Sequence, residues 1–462
     1  MMESLTTASY KHDIIELVKK YHFYKNLNEP VSNKIKYAGR VYDYEEMVNL
    51  VKASLEMWLT HGKWCNTFEK KLSKFLDIKH TLFVNSGSSA NLLAFMSLTS
   101  PLLGDNRIKR GDEVITTACC FPTTVSPILM YGAVPVFVDV DLHTANIDEG
   151  KLEQALSRKT KAVMVAHTLG NPYHVRKVKD FCERHNLWLI SDECDALGST
   201  WEGKHLCHYS DISTFSFYPA HQMTTGEGGA VVTNNDLLNK IMLSLRDWGR
   251  DCTCASGQDD KCGHRFDGQH GNLSDGYDHK YVYSHAFGMN LKATEMQGAI
   301  GVAQLDKLPD FVESRRRNFE SLWSKLHELD ELILPAVQFS SYGLGVSPSW
   351  FGMLITLKES GIKDERVRYP FRQKGIRNKL VKYLESKGIQ TRLLFSGNIT
   401  KQPSFNDLEL KDYRIACDLK NTDKIMNDSF WIGVYPKLTE ENIKFMADTI
   451  KDFLKFNNGN EL

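Results

Sequence analysis

Four cysteines stand out by their spacing: Cys194 is followed by 57 residues, then Cys252, one residue, Cys254, seven residues and Cys262. Four thiolates are the common complement of an iron–sulfur cluster, and a structural zinc ion accepts the same set, so spacing alone leaves both open. Two residues before Cys194, Asp192 closes the apolar run LWLIS. From a strand end its carboxylate could reach a ligand outside the sheet edge and keep a ring nitrogen protonated, or it could simply cap the next helix. If the chain stays extended through residue 194, both side chains leave on one side, roughly 6.5 Å apart. A turn at Glu193 would spoil that geometry. His221, in SFYPAHQMTTGEGGAVVT, has an imidazole that can take and return protons near neutral pH. Lacking a primary amine, it cannot bond a carbonyl group covalently as a lysine would. No lysine lies between Lys204 and Lys240 to do so instead. The run Asn85-Ser86-Gly87-Ser88-Ser89-Ala90-Asn91 joins an apolar stretch to a helix-like one. Free N–H groups and small hydroxyls there form a phosphate cradle, or an ordinary helix cap.

These residues need a scaffold, and apolar patterning supplies one. Asp43 with Glu46 reads as a capping box opening a helix whose Val48, Val51, Leu55 and Trp58 recur at helical spacing. From residue 80, the runs HTLFVN, EVITTA, VPVFVDV, KAVMVAH, LWLISD, ISTFSF and GGAVVTN read as buried strands. Helix-like SSANLLAFMSL, KLEQALSR and VRKVKDFCERH lie among them, which argues for an α/β domain with a largely parallel sheet. After a charged helix, FVESRRRNFESLWSKL, and the stretch SSYGLGVSPS, a second pattern begins: WFGMLITL and IQTRLLF as strands, RNKLVKYLESKG and ENIKFMADTIKDFLKF as helices. The expected division is an N-terminal helical segment over 1–60, a large α/β domain over 61–310 and a smaller α+β domain over 311–462. Residues 252–284 break the rhythm with Gly, Asp and His, and an irregular stretch of that length inside an enzyme is usually functional or disordered.

Lys plus Arg and Asp plus Glu number 57 each, so no global field recruits nucleic acid or an anionic membrane. No apolar run approaches the roughly 18–20 residues needed to span a bilayer. The opening residues mix charge through their apolar positions, unlike a signal peptide, so a cytoplasmic location is expected. In that setting a disulfide framework is not expected for the ten cysteines, and metal ligation or catalysis is the better reading. Those at 65, 119, 120, 182, 207 and 417 read as packing residues. The histidines at 264, 270, 279 and 285 read as solvated loop residues.

The segment around His221 resembles the cofactor-anchoring segment of sugar aminotransferases of the aspartate-aminotransferase fold (fold type I pyridoxal phosphate enzymes). In them a lysine, followed by Gly-Glu-Gly-Gly, holds the cofactor covalently; here that place is His221. The resemblance implies pyridoxamine 5′-phosphate held non-covalently, with His221 as base. It assigns Gly87, Ser88 and Ser216 to the phosphate, Phe121 to the pyridine face and Asp192 to the pyridine nitrogen. Asp195 stands where glutamine is common, and Asn290 matches a residue that reaches the phosphate from a neighbouring subunit, which implies a homodimer. The four-cysteine spacing resembles an iron–sulfur branch of the family that removes the 3-hydroxyl of CDP-linked 4-keto-6-deoxyhexoses. That implies a 2Fe–2S cluster on Cys194, Cys252, Cys254 and Cys262, and an NADH-dependent flavin iron–sulfur reductase as partner, because a two-electron donor cannot feed a one-electron cluster directly. The 3,6-dideoxyhexose product would serve lipopolysaccharide O-antigen. IQTRLLFSGNITKQP resembles the segment facing the sugar nucleotide, making Arg392 and Asn398 candidate substrate contacts, with Tyr218 and Phe351 as further pocket candidates. Alternatives are a histidine-using 3-dehydratase that ends in hydrolytic deamination without a cluster, and a non-enzymatic sugar-nucleotide-binding relative with structural zinc.

Overall fold

The computed structural model describes residues 6–28, 34–252, 254, 256–283, 288–336, 345–358 and 375–457. The chain packs as two compact units, each assembled from separated stretches: Met1–Ser32, Arg40–Asp105 and Ser216–Leu308 in one, Asn33–Gly39, Asn106–Phe215 and Pro309–Leu462 in the other. The contiguous division at residues 60 and 310 is a different cut and stays a proposal.

In the second unit, five consecutive apolar runs become parallel strands. Their spatial order is Ile212–Ser216, Trp188–Asp192, Thr160–Ala166, Glu113–Thr117 and Val134–Val138, with the two-residue strand Arg414–Ile415 at the Val134–Val138 edge. A parallel sheet is covered on both faces, which is why these runs read as continuously apolar. Glu113–Thr117 and Ile212–Ser216 are buried at every position. Val163, Val165, Leu189, Phe181 and Trp201 form part of the core on one side. The chain reverses direction across the sheet between Glu113–Thr117 and Thr160–Ala166, and ligands of open α/β sheets collect beyond the carboxyl ends at such a point.

The same unit holds a four-stranded antiparallel sheet ordered Leu332–Ile333, Gly352–Leu357, Ser429–Gly433, Thr391–Arg392, with helices Ile376–Ser386 and Glu440–Asn457 in the same C-terminal region. WFGMLITL is a strand as expected; IQTRLLF pairs only at Thr391–Arg392. Phe395 adopts φ 45° and Gly397 φ 68°, left-handed conformations that end extended structure. Of SSYGLGVSPS, residues 340–344 lie outside the described residues, as does His285.

In the first unit, strand His80–Val84 pairs antiparallel with Gly229–Thr233. The capping box forms as read: Asp43 N–H donates to Glu46 Oε2 at 2.9 Å and Asp43 accepts from Glu45 N–H at 2.8 Å. The helix Tyr44–Glu56 stops at Met57, whose φ of 53° leaves Trp58 beyond it. Leu55 and Trp58, read at helical spacing with Val48 and Val51, are 47% and 44% exposed. Helix Lys63–Leu76 buries Cys65, Phe68, Leu72 and Leu76 along one face. The charged helix begins earlier than its charges suggested and spans Glu295–Leu326, with Pro309 inside. Among the described residues no helix is long and apolar enough to cross a membrane.

An ion pair joins helix Lys63–Leu76, strand His80–Val84 and a further helix, Asp236–Arg246. Glu69 Oε1 lies 2.6 Å from Arg246 Nη1, accepts the Phe83 N–H at 2.8 Å and stands 3.2 Å from His61 Nε2. Burial alone would raise its carboxyl; Arg246, His61 and the Phe83 amide outweigh burial and bring it from 4.5 to about 2. A depressed folded-state carboxyl stabilises fully above the unfolded value and loses that contribution as pH falls toward the folded one. Glu69→Gln should therefore lower unfolding free energy at pH 7 by about 3 kcal/mol. In denaturant titrations the difference from wild type should shrink as pH drops from 4.5 toward 2. A difference constant over that window would refute the ion-pair account.

Candidate functional site

Each unit carries its own part of the expected site. In the first, strand His80–Val84 ends at Asn85, whose N–H donates to Leu291 O at 2.9 Å. Ser86 caps the helix Gly87–Ser97, its Oγ accepting the Ser89 N–H at 3.1 Å, while Ser89 Oγ–H donates to Asn85 Oδ1 at 2.6 Å. The first-turn amides of that helix have no carbonyl inside it, and Ser88 is exposed. A Cβ on Gly87 would fall 2.5 Å from Ser216 Cβ, and one on Gly229 2.3 Å from Ser86 O. Only glycine permits this approach, which brings Gly87, Ser88 and Ser216 together as a compact polar turn suited to an anion.

From Ser216 the chain enters a closed loop. Phe217 N–H donates to Gly228 O at 2.9 Å, and Thr225 N–H to Phe217 O at 3.0 Å. His221, half-buried, donates its backbone N–H to Tyr218 O at 3.0 Å; the two rings lie 6.3 Å apart edge to face. Tyr218 is 49% exposed and sits past the strand end. Asn290, exposed, pairs with Asp247 across a β-bridge.

In the second unit, Asp192 ends its strand 4% exposed. Its Oδ2 accepts the Thr124 hydroxyl at 2.8 Å and its Oδ1 the Cys194 N–H at 3.1 Å. Thr124 belongs to the helix Pro122–Tyr131, capped by Phe121, so that helix ties Phe121 to the Asp192 carboxylate. The Phe121 ring is 52% exposed and 6.3 Å from Phe395. Sequence reading missed Thr124; its signal was a hydroxyl one helical turn after the aromatic. Extension through Cys194 does not hold. Ala196 N–H donates to Glu193 O at 2.9 Å, so a turn begins at Glu193, driven by the Asp192 side chain capturing the Cys194 amide.

Burial pushes Glu193 up to about 8, eased by the Ser213 hydroxyl and reinforced by Asp192. Burial and then Asp192 push Asp195 up to about 7, and its Oδ2 accepts the Leu169 N–H at 3.3 Å. Burial first, then Asp192, also holds the Cys194 thiol well above its ordinary range. His167 was also missed, although it closes KAVMVAH at the point where the sheet reverses. It stacks on Tyr173 at 4.0 Å, accepts the Tyr173 N–H at Nδ1 and so presents Nε2–H to Ser191 Oγ at 2.9 Å. Burial brings it down to about 3, keeping it neutral.

The cysteine loop lies in the first unit, Cys194 in the second. Cys252 is buried, Cys254 half-buried and Cys262 exposed. Cys262 Sγ is 3.5 Å from His279 Nε2 and accepts the His264 N–H at 3.4 Å, both contacts lying at the exposed surface. Among the described residues no three His, Cys, Asp or Glu side chains gather as an ion site. Of the cysteines read as packing, all are buried except Cys417, which is half-buried.

Of the C-terminal candidates, Arg392 is exposed with its guanidinium 3.9 Å over Tyr37, in register with Trp431. Phe351 is 7% exposed with its ring 5.1 Å from Trp431, so Trp431 brings these two together. Asn398 is buried; its Nδ2 donates to Asp423 at 2.8 Å and its Oδ1 accepts from the Thr400 N–H and hydroxyl, a capping arrangement.

Residues 42–451 match the DegT/DnrJ/EryC1/StrS aminotransferase family. The chain is 47% identical to the lipopolysaccharide biosynthesis protein RfbH of Salmonella typhimurium, over 98% of this chain and 100% of that one. It is 43% identical to the dTDP-4-dehydro-2,6-dideoxy-D-glucose 3-dehydratase of Saccharopolyspora spinosa, over 96% of this chain and 92% of that one. Among solved structures it resembles E. coli GDP-4-keto-6-deoxy-D-mannose-3-dehydratase with bound hydrated PLP: TM-score 0.76, 27% identity, 90% of this chain and 99% of that one. The fold is the fold type I, aspartate-aminotransferase-like α/β architecture that the sequence led us to expect. On the family match and the shared length of these relatives, the chain belongs to the DegT/DnrJ/EryC1/StrS aminotransferase family.

Proposed function

We propose that this chain is a pyridoxamine-phosphate-dependent 3-dehydratase of a nucleotide-linked 4-keto-6-deoxyhexose. One observation carries the reading: a histidine, His221, occupies the place where the family's transaminating members anchor cofactor through lysine, in an otherwise intact segment. Relatives named as 3-dehydratases, at 43% and 31% identity, support it. Taken separately, the polar turn at Gly87 has the chemistry to cradle a phosphate, and the buried Asp192 carboxylate has the chemistry to accept a ring N–H. When bound, that cofactor supplies a primary amine for the 4-keto carbon and an electron-poor ring. Gly87, Ser88 and Ser216 hold the phosphate, joined by Asn290 of a second copy in a homodimer. Phe121 covers the ring face, and Asp192 keeps the ring nitrogen protonated. His221 would be the base, its imidazole taking a proton from the carbon that bears the cofactor's amine and returning it to the departing sugar 3-hydroxyl, which leaves as water. Tyr218, Phe351, Arg392 and Asn398 are proposed on the sugar-nucleotide side, with Asp195 beside the cofactor.

The finer reading adds a 2Fe–2S cluster on Cys194, Cys252, Cys254 and Cys262, a CDP-linked 4-keto-6-deoxyglucose as substrate, and an NADH-dependent flavin iron–sulfur reductase. The 3,6-dideoxyhexose made would enter lipopolysaccharide O-antigen, with the enzyme working in the cytoplasm. The donor set suits iron chemically: four thiols, two of them one residue apart. RfbH, 47% identical, is named for lipopolysaccharide biosynthesis. The cluster is proposed on the chemistry of this donor set and its spacing.

Anaerobically purified protein reduced with dithionite should give the paramagnetic resonance of a reduced 2Fe–2S centre. A silent, zinc-loaded sample would remove the cluster and reductase and favour the hydrolytic 3-dehydratase. Separately, His221→Lys should gain a borohydride-reducible covalent attachment to added pyridoxal phosphate, seen by mass spectrometry, and lose dehydration by at least about 100-fold. Normal dehydration by that variant would sink the proton-transfer role.

A further inference from the structure

The loop bearing His221 is gripped by one face of the helix Glu295–Leu326. Gln304, 1% exposed, accepts the Thr224 N–H at its Oε1, 3.1 Å away. Its Nε2 donates to Glu46 Oε1 at 2.6 Å and to Val41 O at 2.8 Å. Glu46 is fixed in turn by the capping box and by Lys307 Nζ at 2.8 Å. Two helical turns before Gln304, on the same face, Gln297 Nε2 donates to Glu227 O at 2.6 Å, while its Oε1 accepts the Thr294 N–H at 2.7 Å. Between them a Cβ on Gly301 would stand 3.0 Å from Thr225 Cγ2 and 2.9 Å from Phe68, so helix and loop are in close contact there. Residues 224 and 227 are thus held from the same helix, three and six positions after His221.

We propose that Gln304 and Gln297 are positioning residues for His221: they fix the loop so that its imidazole is presented in one orientation for proton transfer. This rests on the reading of His221 as base. The physical reason is that a side chain on a loop is placed only as well as the loop's own backbone, and a misplacement near 1 Å can cost about 100-fold in rate. Neither glutamine touches the reacting atoms in this account; each acts through the backbone amide or carbonyl it holds. The Glu46–Lys307 pair completes the network by leaving Gln304 with one low-energy orientation, carbonyl toward Thr224 and amide toward Glu46.

The test uses the full-length holoenzyme with Gln297→Leu and Gln304→Leu, in steady-state kinetics and hydrogen exchange of the 218–228 peptide. Each variant should lose about 10-fold or more in kcat, keep KM and cofactor affinity within about twofold, and exchange that peptide about 10-fold faster. Gln304→Glu should be impaired as well, because its carboxylate would face both Glu46 Oε1 and the Val41 carbonyl oxygen. A kcat within twofold of wild type in both leucine variants would overturn the proposal, and so would a loss of rate matched by loss of cofactor. If wild type turns over no 4-keto-6-deoxy sugar nucleotide, the functional reading fails; the exchange comparison on the cofactor-free chain still decides whether the glutamines hold the loop.

Discussion

A buried carboxylate needs partners for both oxygens, and Asp192 finds them in Thr124 and the Cys194 amide. Much of the local architecture follows from that requirement. The Thr124 hydroxyl fixes the start of helix Pro122–Tyr131 against the strand end, which sets Phe121 at its cap with its ring half in solvent. The Cys194 amide is pulled back toward the carboxylate, which forces the turn at Glu193. Two further carboxyls, Glu193 and Asp195, fall inside the same buried turn, and their upward shifts follow from burial and from Asp192 itself.

The polar turn in the other unit obeys a steric rule instead. Gly87 and Gly229 are required because Ser216 and the Ser86 carbonyl approach to distances that no Cβ tolerates. Hydrogen bonds among Ser86, Ser89 and Asn85 then hold the turn's side chains, with the Ser89 amide satisfied by Ser86 Oγ. Its shape is therefore set before any anion arrives.

All seven runs formed where they were read: five are buried parallel strands with an uninterrupted apolar signature, and His80–Val84 and Gly229–Thr233 are an equally buried antiparallel pair. The capping box was equally local: three residues decide it. Failures came where a nonlocal partner or a backbone conformation prevailed. IQTRLLF is apolar enough for a strand, yet the left-handed Phe395 and Gly397 end it. Leu55 and Trp58 follow helical spacing, but Met57 terminates the helix between them. Two-residue geometry from Asp192 to Cys194 assumed an extended chain, and a side-chain-to-backbone bond bent it. Thr124 and His167 carry no motif of their own; each gains meaning from a strand more than twenty residues away.

Where the residues come from also explains how the family can change chemistry without changing fold. Lysine and histidine at position 221 ask different things of the same loop. A lysine bonded to the cofactor is held by that bond, which corrects small errors in the backbone beneath it. A histidine has no such tether, so its placement depends wholly on the loop, and a misoriented imidazole transfers protons slowly even when the cofactor is well bound. The demand for rigidity thus moves from a covalent bond into the scaffold. In this chain the loop is closed at its neck by Phe217, Thr225 and Gly228 and held from outside by a single helix face. On the proposed reading of His221, that grip supplies the placement that a lysine would gain from its covalent bond.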